Sequence, residues 1–342
     1  MSFTRRDTTK LLAAGLGGAM LFPRLLAAQE KRSLHLVLQG FSLGIHIPQV
    51  LAVRDLMLEA GFAEPKLDRI ENMQVIAQTI VSGSAEAGYS DVASALRAVE
   101  AGAPVTLIGL VYNSTSQVLL ANTDKIKSFA DFKNPENAVA MNSRGDFIYV
   151  MLAGALDRNN VDIDDVTIVE MGGSGSRLKA LQSGRVAAVP VHFDQADEVL
   201  KQGPYKVLVE PWKIYERFLA EAWLVNNDWL AKPENAKAAV ALNKAMVASF
   251  RRANKDYDYF AAGYRKYATI PGAANTSDAV LRPVWQKLST EIKAWPDDGG
   301  FKRDYLRQLL PVYRKAHIIR HDPDLARVME PRFLDQALSE LG

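Results

Sequence analysis

Five short polar stretches each stand between an apolar run and a helix-like one, where side chains and unpaired backbone N–H groups would converge. They are Gln39–His46, Ser90-Asp91, Ser143-Arg144-Gly145-Asp146, Gly173-Ser174-Gly175-Ser176 and His192-Phe193-Asp194. Helix starts of this kind bind anions without a basic side chain. The candidate ligand-facing residues are therefore Gln39, Gly40, Phe41, His46, Ser90, Asp91, Ser143, Arg144, Asp146, Gly173, Ser174, His192 and Asp194. Arg144 is the preferred discriminating residue, because a guanidinium can clamp a carboxylate or sulfonate with two parallel bonds. Tyr112 and Asn113, after an apolar run, and Phe41 would add ring contacts and an amide. N-capping alone also accounts for Asp91 and Asp146. The glycines at 172–175 lack dinucleotide-motif spacing and the following acid, so they fit either an anion cradle or a tight turn. A structural role fits His192 equally well.

What is missing narrows the chemistry. With no Cys there are no disulfides, thiolate metal sites or cysteine nucleophiles. The five His residues (35, 46, 192, 317, 321) form no metal pattern; His317 and His321 have helical-pair spacing but no third ligand beside them. No metal and no cofactor is expected, and no catalysis. The formal charge of +2 leaves no basic footprint for nucleic acid.

These stretches need elements to hold them. Apolar runs at 34–38, 67–71, 85–89 and 105–111 alternate with amphipathic ones at 48–60, 73–81 and 92–101. The pattern restarts after Ala121, with strands predicted at 138–141, 166–171 and 186–191 and helices at 147–158 and 177–182. Strands alternating with short helices indicate parallel βαβ units. Ile80–Ala87 is echoed by Leu181–Ala188, 101 residues later, with three identities in eight positions. Two similar halves are expected, each placing a polar loop at a strand's carboxyl end, where open α/β sheets bind ligands. From Asn226 onward the strands stop, and helices are predicted over 233–267, 277–293 and 302–315.

The first residues have another purpose. Arg5-Arg6, the apolar run Leu11–Phe22 and Ala27-Ala28 are the parts of an export signal of about 28 residues. The run is too short to span a bilayer, so no membrane anchor is expected. Thr4-Arg5-Arg6-Asp7 resembles a twin-arginine signal, with Thr8 departing from its pattern. Removing residues 1–28 takes away Arg5, Arg6, Lys10, Arg24 and Asp7, which turns +2 into −1.

From Leu34 to about Glu210 the chain resembles the nitrate/taurine/sulfonate type of solute-binding protein of ABC importers, a group that includes thiamine-precursor binders. The stretches that carry this are Ser82-Gly83 through Ala87-Gly88 to Asp91, Ala101–Val105, Ile126–Phe132, Gly172-Gly173 ahead of Leu178–Gly184, and Trp295-Pro296 with Gly299-Gly300. The resemblance implies a two-lobed α/β periplasmic-binding-protein fold of type II, each lobe a mixed sheet flanked by helices. Lobe 1 would be 33–121 plus 226–342 and lobe 2 122–225, with crossover strands near 118–122 and 223–227. Trp223 would then pack at the hinge or cover the cleft. It also implies a periplasmic monomer that captures a small organic anion (sulfonate, carboxylate or phosphonate) and delivers it to a membrane permease. A neutral heterocycle such as a pyrimidine, or output to a membrane sensor, are the alternatives. A pyrimidine synthase shares the fold but relies on a cysteine-rich segment absent here.

Overall fold

The computed structural model describes residues 31–39, 44–70 and 72–342. The proposed signal, Gly40 and Phe41 lie outside the described residues. Arg32–Gly342 forms one compact unit.

Among the described residues, ten strands build two five-stranded sheets. The first sheet contains β1 (His35–Leu38), β2 (Lys66–Arg69), β3 (Ala87–Asp91) and β4 (Val105–Asn113). The second contains β5 (Gln117–Asn122), β6 (Val139–Met141), β7 (Ile168–Glu170), β8 (Ala188–His192) and β9 (Tyr205–Val209). The last strand, β10 (Leu219–Asn226), returns to the first sheet. The strand orders are β2-β1-β3-β10-β4 and β7-β6-β8-β5-β9. Each sheet thus has three parallel strands followed by an antiparallel one, β10 or β5, that belongs in sequence to the other half.

That exchange corrects one expectation. Residues 118–122 do not cross between the halves; they pair with β8 and β9 inside the second sheet. Likewise 223–226 pair with β3 and β4 inside the first. The chain passes between the sheets just before each of these strands, at 114–116 and 210–218.

Local chemistry explains the helices that carry the site. Met73–Val81 buries Met73, Ile76, Ala77 and Ile80 on one face, and Asn72 caps it by accepting from the Gln74 and Val75 amides. Val92–Glu100 starts at Asp91, whose carboxylate accepts from the Ser94 amide at 2.8 Å. Phe147–Asp157 is buried on nearly every side and is capped by Asp146. The 101-residue echo is structural: Gly83 and Gly184, both at φ +72°, end the helices Met73–Val81 and Ser174–Gln182 ahead of β3 and β8.

The predicted helix over 233–267 is two, Pro233–Lys255 and Tyr257–Tyr267, because Asp256 leaves helical geometry and caps the second through the Tyr259 amide. His317 and His321 both follow the end of the helix Arg303–Lys315, so they make no helical pair; His317 meets Asp164 at 3.0 Å. No helix among the described residues is long and apolar enough to cross a membrane.

Candidate functional site

Where the carboxyl ends of β1, β4, β6 and β8 approach one another, a cavity of about 70 Å³ opens. Both sheets line it. Two hydrogen bonds join their rims: Gln74 Nε2 donates to the Arg144 carbonyl at 3.0 Å and Arg97 Nη2 to the Gly145 carbonyl at 3.2 Å.

One wall is acidic. Glu221 stands opposite Asp91 of β3 and opposite Tyr112 of β4 in the strand register, so the three side chains share one face. The register with β4 shifts on either side of Glu221, a bulge that re-aims the side chain. Glu221 is 1% exposed, and its Oε2 has no hydrogen-bond partner among the described residues. Burial pushes its carboxyl well above the usual range; the Tyr112 hydroxyl, which donates to it, holds it down, while the neighbouring Asp91 and Asp146 charges push it up further. Asp146 faces it from the second sheet. Burial pushes Asp146 up to about 7, against the Tyr149 and Ser143 amides and the Arg177 guanidinium, which favour the charged form. Asp91 is raised too, again by burial, although the Ser94 amide and hydroxyl both donate to it.

The opposite wall carries the cation. Arg177, in the helix Ser174–Gln182, is 2% exposed. Its Nε donates to the Pro190 carbonyl at 2.9 Å, its Nη1 to the Gly172 carbonyl and its Nη2 to Gln117 Oε1 at 3.0 Å. Burial lowers it to about 10, so it stays charged at neutral pH. Gly173 begins that helix in extended geometry and supplies no side-chain cap, which leaves the amides there open towards the cavity.

Neutral imidazoles complete the site. Burial lowers His46 to about 4, and neither ring nitrogen has a hydrogen-bond partner among the described residues. Its ring stacks near Tyr89, at 6.2 Å and 16°, and tilts against Tyr112 at 5.6 Å. His192 is held well below its ordinary value by burial, with Nδ1 2.6 Å from the Ser116 hydroxyl.

Of the residues expected from sequence, Gln39, His46, Tyr112, Asp146, Gly173, Ser174 and His192 line this cavity. Ser90, Asp91, Ser143 and Trp223 are buried behind it. Asn113 instead accepts from the Phe218 amide at 3.0 Å, bracing the two passages between sheets. Asp194 lies in the first turn of the helix Phe193–Val199, which replaces the expected loop there. Arg144 does not reach the cavity: its amide donates to Glu170 and its Nη2 to the Ile168 carbonyl. Sequence reasoning missed Met73, Gln117, Asn142, Phe147, Ile148, Arg177 and Glu221. Glu221 did leave a signal, as the only charge in the apolar run Leu219–Val225. Among the described residues, no group of three or more His, Asp or Glu is placed to hold a metal ion.

A family model described as NMT1/THI5-like matches residues 67–253. No curated protein matches the chain in sequence. The periplasmic nitrate-binding protein NrtA from Synechocystis PCC 6803 has the same fold at 14% identity and a TM-score of 0.73, over 91% of this chain and 89% of that one. The ligand-binding component of an ABC-type import system from Staphylococcus aureus superposes at 13% identity and 0.71, over 90% and 99%. The desulfurization enzyme DSZB does so at 14% and 0.59, over 91% and 100%. At these identities the likeness establishes the two-lobed periplasmic-binding-protein fold.

Proposed function

The chain belongs to the NMT1/THI5-like family, and on that premise we propose that it is an exported solute receptor that captures a small polar ligand between its two sheets and hands it to an ABC importer. The observation that carries this is the cavity lined from both sheets. It holds a buried, fully charged Arg177 beside the uncapped helix start at Gly173. A guanidinium and open amides form a site for an anionic or acceptor group. The cation is thus Arg177, in place of the Arg144 clamp expected from sequence. Receptors of this architecture close on a ligand because the closed state binds it better. The Gln74–Arg144 and Arg97–Gly145 bonds across the rim are contacts such closure would use. The signal-like residues 1–28 support release into the periplasm, where we propose that it acts as a monomer.

The test is a thermal-shift screen of Gln29–Gly342 against sulfonates, carboxylates, phosphonates, nitrate and pyrimidines. A ligand at a thousand times its dissociation constant adds about 4 kcal/mol to the folded state, several degrees in midpoint. Mass spectrometry of the recovered ligand separates capture from turnover. An unchanged ligand fits a receptor, and a converted one would place the protein with the enzymes of this fold.

A further inference from the structure

Arg177 accounts for one end of a ligand, and the acidic wall makes a demand of its own. A buried acceptor left without a donor carries its full desolvation cost, so such groups persist where something else supplies the partner. Glu221 Oε2 is such an acceptor, and no donor reaches it from the described residues. Every titratable group around it is an acid or a phenol: Tyr112 on β4, Asp91 on β3 and Asp146 from the second sheet. Each of the others has partners already. Asp91 and Asp146 accept from helix amides, and the Tyr112 hydroxyl is spent on Glu221 itself. His46, unpartnered at both ring nitrogens and neutral, adds one unused acceptor and one unused donor on the same side. An anion can take the imidazole N–H, but it supplies no donor to the other ring nitrogen or to Glu221 Oε2.

Building on the receptor reading above, we propose that Glu221 is the specificity-determining residue of the cleft. The captured solute is then amphoteric: it carries an N–H donor that Glu221 accepts and an anionic or acceptor group that faces Arg177. The bulge in β10 fits this role, since it turns Glu221 towards the cavity from a strand whose other residues up to Val225 are apolar. Bulk does not distinguish such a solute from a plain anion, but the pairing of donor and acceptor ends does.

The experiment is isothermal titration with matched probes that differ only in the donor: ethanesulfonate against 2-aminoethanesulfonate, propionate against 3-aminopropionate, and uracil against cytosine. At least one donor-bearing member is expected to bind ten-fold or more tightly than its partner. Glu221→Gln, which keeps shape and packing, should cut that ratio at least five-fold while leaving the melting midpoint of the ligand-free protein unchanged or higher. Tyr112→Phe, which releases the carboxyl from its phenol, should change the ratio by a smaller factor. Donorless probes binding as tightly as their partners, or a ratio unmoved in Glu221→Gln, would overturn the assignment and leave the receptor reading standing. No binding by either member of any pair would overturn both.

Discussion

The two sheets are near copies in topology but differ in how the helices after β2 and β3, and after β7 and β8, begin; the helix after β1 is uncapped at His46, and the one after β6 is capped by Asp146. In the first, the helices after β2 and β3 are closed by their own side chains, Asn72 and Asp91. In the second, the equivalent helices after β7 and β8 begin at Gly173, which has no side chain to cap with, and at His192, whose imidazole is turned to Ser116. The echo that aligns Gly83 with Gly184 also aligns Asp91 with His192, 101 residues apart. Among these helices, those of the first sheet spend Asn72 and Asp91 on capping, and the one at Gly173 leaves its first amides, beside the Arg177 guanidinium, without a side-chain cap. The contrast assigns the acidic, donor-seeking wall to the first sheet and the anion-seeking wall to the second.

The largest effect should come from Arg177→Ala. It strands the Pro190 and Gly172 carbonyls and removes the only buried cation that lines the cavity among the described residues, so about 3 kcal/mol of stability should be lost in denaturant melts. Binding of any anionic probe should vanish with it. A stable Arg177→Ala protein that still binds would break the contrast outright.

Next in size is an exchange of finishing styles. A side chain at Gly173 meets nothing within 4 Å, and its extended geometry suits a cap. Gly173→Asn should therefore gain stability, by at most about 1 kcal/mol, while its amide oxygen competes with the ligand and weakens binding about ten-fold. Asn72→Ala should do the reverse: a loss of about 1 kcal/mol with affinity unchanged, both read by thermal melts and titration calorimetry.

A third effect depends on pH. Asp146 has a folded pKa of about 7, above its unfolded value near 4, so the folded state holds the extra proton and gains stability as pH falls from 7 towards 4. His46, lowered to about 4, opposes this by losing stability as pH falls below 6.5. The pair hides the signal in the wild-type curve. Asp146→Asn isolates it, since Asn caps as well as Asp. The variant should melt higher than wild type at pH 8, by a margin that shrinks steadily as pH falls towards 4.

Smallest of all should be Arg144→Ala, which removes one bond to the Ile168 carbonyl at the rim and should leave affinity within about two-fold.

This last pair of arginines marks where sequence stops being legible. Helix bounds at 73–81 and 147–157 could be read because caps and glycines are local. Arg144 lies within a glycine-containing polar stretch and Arg177 directly after one, and only the fold separates them. Pro190 and Gln117, on strands far away in sequence, come together around Arg177, whereas Glu170 and Ile168 hold Arg144 at the edge. The same applies to β5 and β10. Their exchange between halves is a matter of long-range pairing, so 118–122 and 223–226 read as connectors when they are central strands.

The most direct test of the central claim is the affinity of the tightest-binding probe for Gly173→Asn beside the wild-type chain, with melting midpoints taken on the same samples. A more stable ligand-free protein that binds about ten-fold more weakly is the predicted result, because the new cap occupies amides that the ligand uses. Unchanged or tighter binding, with the cap formed, would contradict it and place the ligand elsewhere than at the open helix start of the second sheet.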